Sequence, residues 1–104
     1  MGILRINFAN ASDNVQNGAP DGMALVDVMD KKVVDALSYE GSMTMATIMG
    51  FAGTVNLVEG KATPESDSNA AEGSLCRLPD GKDSDDALSD WKFSAKPTPG
   101  APNM

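Results

Sequence analysis

Histidine is missing altogether, cysteine occurs once, and aromatic residues make up only 5% of the 104-residue chain. The first absence removes Ser-His and Cys-His nucleophile pairs, imidazole proton transfer and the commonest nitrogen ligand for zinc. A lone Cys76 cannot form an intrachain disulfide or assemble a thiolate metal cage, and reads as a buried, inert thiol. Cations are scarce too: 8 Lys and Arg stand against 15 Asp and Glu, a formal net charge of −7. Nucleic-acid affinity rests largely on clustered Lys and Arg that release counterions, so this balance argues against a nucleic-acid partner. No apolar run approaches the roughly 20 residues that span a bilayer, and no membrane partner is expected. The first residues have neither the basic stretch nor the long apolar run of a signal peptide. They imply a cytoplasmic location if the chain is complete, and an extracellular one if it is a piece of a secreted protein.

What is present is a small apolar framework cut by turns. Ten Gly and six Pro are spread through a chain that is 41% hydrophobic. Residues Ile3 to Phe8 alternate Leu4, Ile6 and Phe8 with Arg5 and Asn7, the period of a half-buried strand. Asn17-Gly18 and Asp21-Gly22 mark turns within a loop over 10–22. Met23 to Val28 and Val33 to Tyr39 are apolar runs joined by a short polar connection and predict a β-hairpin. Residues 40–53 form a Gly-interrupted loop with an apolar lining, and Thr54 to Val58, Ser74 to Leu78 and Trp91 to Ser94 are further strand candidates. The segment 61–73 and the acidic stretch Pro79 to Asp90 are solvated connections. Pro97, Pro99 and Pro102 bar the tail from a helix or a central strand and leave it as an extended surface strap. About six short strands without helical periodicity predict an all-β sandwich or barrel in one domain over 1–104. Its expected core is Leu25, Val26, Val34, Leu37, Tyr39, Leu75, Trp91 and Phe93.

Four segments, taken in order, resemble the lamin-tail domain. They are Gln16-Asn17-Gly18-Ala19-Pro20-Asp21-Gly22-Met23-Ala24-Leu25-Val26-Asp27, Leu37-Ser38-Tyr39-Glu40-Gly41, Ser74-Leu75-Cys76-Arg77-Leu78-Pro79-Asp80-Gly81, and Asp85-Asp86, Asp90-Trp91 with Pro97-Thr98-Pro99-Gly100-Ala101-Pro102-Asn103. The closest resemblance is to the type found in bacterial secreted proteins beside nucleases of the endonuclease/exonuclease/phosphatase class. It covers residues 16–103 and implies an immunoglobulin-like β-sandwich acting as an accessory module without an active site of its own. The family's first strands are missing here, apart from Ile3 to Phe8. The sandwich is therefore expected to be incomplete in one chain and completed by oligomerisation.

Several constellations invite chemistry and yield less than they promise. Asp80-Gly81-Lys82-Asp83-Ser84-Asp85-Asp86 suggests a calcium loop, but Gly81 and Lys82 interrupt the ligand alternation and no bidentate Glu follows. A solvated turn is the better reading, and no metal is expected. Arg77 shares the parity of Leu75, and its expected bidentate partner is Asp85, Asp86 or Asp90. Asp35 and Glu40 could be cast as a glycosidase pair, but no aromatic platform accompanies them. Met43, Met45, Ile48, Met49 and Phe51 either fold over one end of the core or form a contact patch for another chain. The chain is thus expected to be a non-enzymatic protein-interaction module without a cofactor, or alternatively a detached targeting domain of a secreted nuclease. Its partner is expected to be protein, with a homodimer as the first candidate, and its interface residues are Ile6, Phe8, Met43, Met45, Ile48, Met49 and Phe51.

Overall fold

The computed structural model describes residues 3–7, 18–67, 70 and 72–104. Among these, four strands and one helical turn form two antiparallel pairs, an all-β arrangement with almost no helix. Strand β1 (Asp21–Asp27) pairs with β2 (Lys32–Tyr39), and β3 (Ser74–Arg77) pairs with β4 (Trp91–Ser94), which follows the single turn α1 (Ala87–Asp90).

The first pair is the expected hairpin. Asp27 closes its turn by accepting hydrogen bonds on Oδ1 from the amides of Met29 at 2.9 Å and Asp30 at 3.0 Å, and Lys31 turns the chain through φ 52°. The register runs from Asp21 opposite Tyr39 to Asp27 opposite Lys32, and it shifts between Leu25 and Val26, leaving Val34 as an extra residue on β2. Such a bulge twists the strand and alters which side chains face the interior.

Burial is concentrated on the second half of β2. Ala36, Leu37, Ser38 and Tyr39 are all buried, and Leu37, Tyr39 and Ala87 form the central cluster, with Leu75 and Trp91 packed against it. Ser38 is fully covered because its hydroxyl donates to the Gly41 carbonyl at 2.9 Å and accepts from the Met43 amide at 2.8 Å, which makes a buried polar atom tolerable. The expected core is corrected at three positions: Leu25 is 64% exposed, Val34 60% and Phe93 43%. Leu25 lies on a strand with a neighbour on one side only, and the bulge leaves Val34 without a cross-strand partner.

Other expectations are corrected as well. Residues 3–7 belong to no strand and are exposed, Ile6 at 75%, while Phe8 lies outside the described residues, as do 10–17 with Asn17 of the expected turn. Of the strand expected over 54–58, only an isolated bridge between Val55 and Ala46 forms. The acidic stretch before β4 contains the helical turn α1, which has no apolar periodicity to announce it. It is assembled by tertiary bonds, since Ala87 and Leu88 donate their amides to Glu59 and Lys61 carbonyls at 2.9 Å each. Gly60 permits this approach: it sits at φ +58°, and a Cβ there would lie 2.7 Å from Asp86 Oδ1. The tail turns at Thr98–Ala101 and lies against the end of β3. Asn103 donates its amide to Asp80 Oδ1 at 2.8 Å and its side-chain amide to the Arg77 carbonyl at 3.1 Å.

Candidate functional site

Two polar centres and the free edge of β1 stand out. The first centre is Arg77, at the end of β3. Its guanidinium donates bidentately to Asp35 of β2, at 2.7 and 2.8 Å, and lies 3.6 Å from Glu59 and 3.4 Å from Asp83. The partner is Asp35, correcting the expectation of Asp85, Asp86 or Asp90, because the two strand pairs meet there and bring the middle of β2 beside the end of β3. The guanidinium also lies 5.0 Å from the centre of the Trp91 ring, within cation–π range. Burial alone would favour loss of its proton, but Asp35 and the surrounding carboxylates outweigh that and raise the Arg77 pKa further. Glu59 is raised by burial and by Asp35 and Asp83, with Arg77 opposing. Asp83 and Asp85 of the acidic turn lie close enough to Glu59 that a cation could bridge all three, but Arg77 already faces Glu59 and Asp83 from the same side.

The second centre joins Asp21 of β1, Glu40 just past β2, and Asp67, whose carboxylate oxygens lie within 4.8 Å of one another. Glu40 sits at φ 54°, a left-handed conformation that costs a non-glycine residue about 1 kcal/mol and aims its side chain at this group. Among the described residues no Lys or Arg forms an ion pair there, and one Asp67 oxygen is buried without a hydrogen-bond partner. Partial desolvation, then Asp67 and Asp21, raise the Glu40 pKa. Burial and the same carboxylates push Tyr39 up to about 12. The cluster was not foreseen, because its members are far apart in sequence. Asp35 and Glu40, weighed as a glycosidase pair, belong to the two different centres.

Each of the four strands pairs with one other among the described residues, and the free edge of β1 carries two exposed large apolar side chains, Met23 and Leu25. Strand alternation places Asp21, Met23, Leu25 and Asp27 on one face. Met23 and Leu25 line a groove with Leu37, Asp35 and Trp91. The opposite face, with Gly22, Ala24 and Val26, lines a second groove together with the loop residues Met43, Ile48, Met49 and Leu57. Of the expected interface residues, Met45 and Met49 are 74% and 98% exposed, whereas Met43, Ile48 and Phe51 are half-buried. The methionine loop thus sets Met43 beside Gly22 of the hairpin and leaves Met45 and Met49 exposed. Ile6 is elsewhere: its neighbour Ile3 lines a separate pocket with Leu75, Cys76 and the Pro-rich tail.

Two hydroxyl–carboxylate pairs flank β4 and the turn before it. Ser84 donates both its hydroxyl and its amide to the carboxylate of Asp90, each at 2.7 Å, and these bonds depress the Asp90 pKa to about 2. Ser89 donates to Asp86 at 2.7 Å, and Asp86 is lowered by that bond and by the Lys61 amide. Carboxylates held this acidic are poor proton acceptors for activating a hydroxyl. Cys76 is buried, and burial followed by Asp80 raises its pKa, away from the thiolate a nucleophile needs. No family model, curated protein or solved structure matches the chain.

Proposed function

We propose that the chain is a non-enzymatic protein-interaction module that resembles a lamin-tail domain and completes an immunoglobulin-like sandwich through contacts with other chains. The observation that carries this reading is the unpaired β1 edge, flanked by Met23 and Leu25 at 48% and 64% exposure. An uncovered strand edge is a template for main-chain pairing, and exposed apolar side chains beside it favour burial against a partner. A homodimer belongs to the same reading, with Ile6, Met45 and Met49 as the exposed side chains it would cover. The alternative of a detached nuclease-targeting domain shares this chemistry and differs only in the partner. Cross-linking capture with the purified protein, beside a Met23→Ser/Leu25→Ser variant as bait, tests the module. Proteins retained by the wild type and lost by the variant are expected. Identical capture by both would overturn the use of this edge. Hydrolysis of a phosphodiester or ester that one point substitution abolishes would overturn the non-enzymatic reading.

A further inference from the structure

The acids and the apolar residues of β1 alternate in a way that specifies an occupant. Asp21, Met23, Leu25 and Asp27 lie at positions i, i+2, i+4 and i+6 of one strand face, a row about 20 Å long that reads acid, apolar, apolar, acid. At its first end Asp21 is joined by Glu40 and Asp67, so that end gathers three carboxylates with no ion-paired Lys or Arg among the described residues. Pairing β1 with the β1 of a second copy around a two-fold axis at Ala24 would set Met23 against Leu25 but Asp21 against Asp27 at both ends. Like charges directly opposite destabilise a strand pair, so the row disfavours itself in the register that matches its apolar residues. The groove beside it is apolar, walled by Leu37 and Trp91, and its one acid, Asp35, is already taken by Arg77.

We propose that the β1 edge takes an extended segment of a partner protein in which two apolar residues are flanked by Lys or Arg at the same alternating spacing, basic-x-apolar-x-apolar-x-basic. This rests on the protein-interaction reading and deepens it. The added strand pairs its main chain with the outward amides and carbonyls of β1, sets its apolar side chains against Met23 and Leu25, and places one cation in the Asp21, Glu40 and Asp67 cluster and the other at Asp27. Charge pairing across the strands supplies register as well as attraction, since a slip by one residue turns every side chain to the other face.

The test uses the full chain and three synthetic heptapeptides labelled for fluorescence anisotropy: Lys-Thr-Val-Thr-Val-Thr-Lys, the same peptide with Glu at both ends, and Val-Thr-Lys-Thr-Lys-Thr-Val. The Lys-flanked peptide is expected to bind about tenfold more tightly than either control. Its advantage should collapse in Asp21→Asn/Asp27→Asn, which keeps the turn-capping oxygens and removes the charge. Met23→Ser/Leu25→Ser should weaken it while leaving the melting temperature near that of the wild type. Equal binding of the two lysine peptides would reduce the effect to unpatterned charge and overturn the proposal, as would binding that survives the serine substitutions. Absence of peptide binding, together with a dimer in light scattering that the serine variant dissociates, would make a second copy the occupant. That result overturns this inference and leaves the interaction module standing. Failure of both the peptides and protein capture would remove the module as well.

Discussion

The two strand pairs of this protein are held by different physics. The β3–β4 pair is tied on every side by polar bonds: Arg77 to Asp35, Ser84 to Asp90, and Asn103 of the tail to Asp80 and the Arg77 carbonyl. Asp90 is 1% exposed and has its acceptor capacity filled by Ser84, the Asp86 amide and Lys82. The β1–β2 pair is anchored only along β2, whose second half is buried, and β1 leans outward with apolar side chains in solvent. Side-chain hydrogen bonds are concentrated around the β3–β4 pair, while β1 keeps an edge with no second strand paired to it among the described residues. The two pairs thus divide polar bonding from edge exposure, and they meet where Trp91 packs against the Leu37, Tyr39 and Ala87 cluster and Arg77 binds Asp35.

The largest disruption of this division comes at the meeting point. Trp91→Ala removes the ring that walls the β1 groove and stacks on Arg77, and should cost about 3 kcal/mol, a large share of a small domain's stability. Urea unfolding checks it. Trp91→Phe keeps a ring and deletes an indole N–H that is buried without a partner, so it should lose far less.

Arg77→Leu comes next, at about 2 kcal/mol, because it strands the Asp35 and Glu59 carboxylates in half-buried positions. Arg77→Lys should recover only part of the loss, since an ammonium cannot bind Asp35 in two parallel bonds. Full rescue by Lys would show that charge alone ties the sheets.

A smaller effect is acid sensitivity. Asp90 has its pKa lowered from 3.8 to about 2, so its contribution is complete above 3.8 and is lost as the pH falls from about 4 toward 2. Glu40 and Glu59 are raised and act in the opposite sense, gaining stability as they take up protons on the way down from neutral pH. Thermal stability should therefore hold or rise slightly on mild acidification and fall below about pH 4. Ser84→Ala removes one donor to Asp90 and should move the acid limb to higher pH. An unmoved limb would place acid sensitivity elsewhere.

The smallest effect is the one that sharpens the contrast most. Leu25→Thr, on the open edge, should change stability by less than about 0.5 kcal/mol, because the side chain is 64% exposed. A loss near that of a core leucine would mean that β1 is covered in solution.

Local features were legible wherever a segment's own residues decide its state. The hairpin followed from two apolar runs around Asp30-Lys31, and β3 and β4 from short apolar stretches between turns. Where neighbours decide, the reading went astray. Leu25, Val34 and Phe93 have the residue types of core positions, but a two-stranded pair buries only what a second layer covers. The turn α1 depends on carbonyls of Glu59 and Lys61, which lie 28 and 27 residues before their donors Ala87 and Leu88, and it has no local signature. The Asp21, Glu40 and Asp67 cluster was hidden for the same reason.

Composition and order along the chain determined that this protein is acidic, lacks histidine chemistry, and builds short strands between turns, because those properties belong to residues and to their nearest neighbours. Tertiary structure alone decided that Arg77 binds Asp35, that three distant carboxylates converge with no ion-paired Lys or Arg among the described residues, and that β1 keeps a free edge beside Met23 and Leu25. Ion pairing and edge exposure depend on distances between segments that the chain sets only when it closes. In this protein those distances select both the contacts that stabilise it and the surface it leaves free.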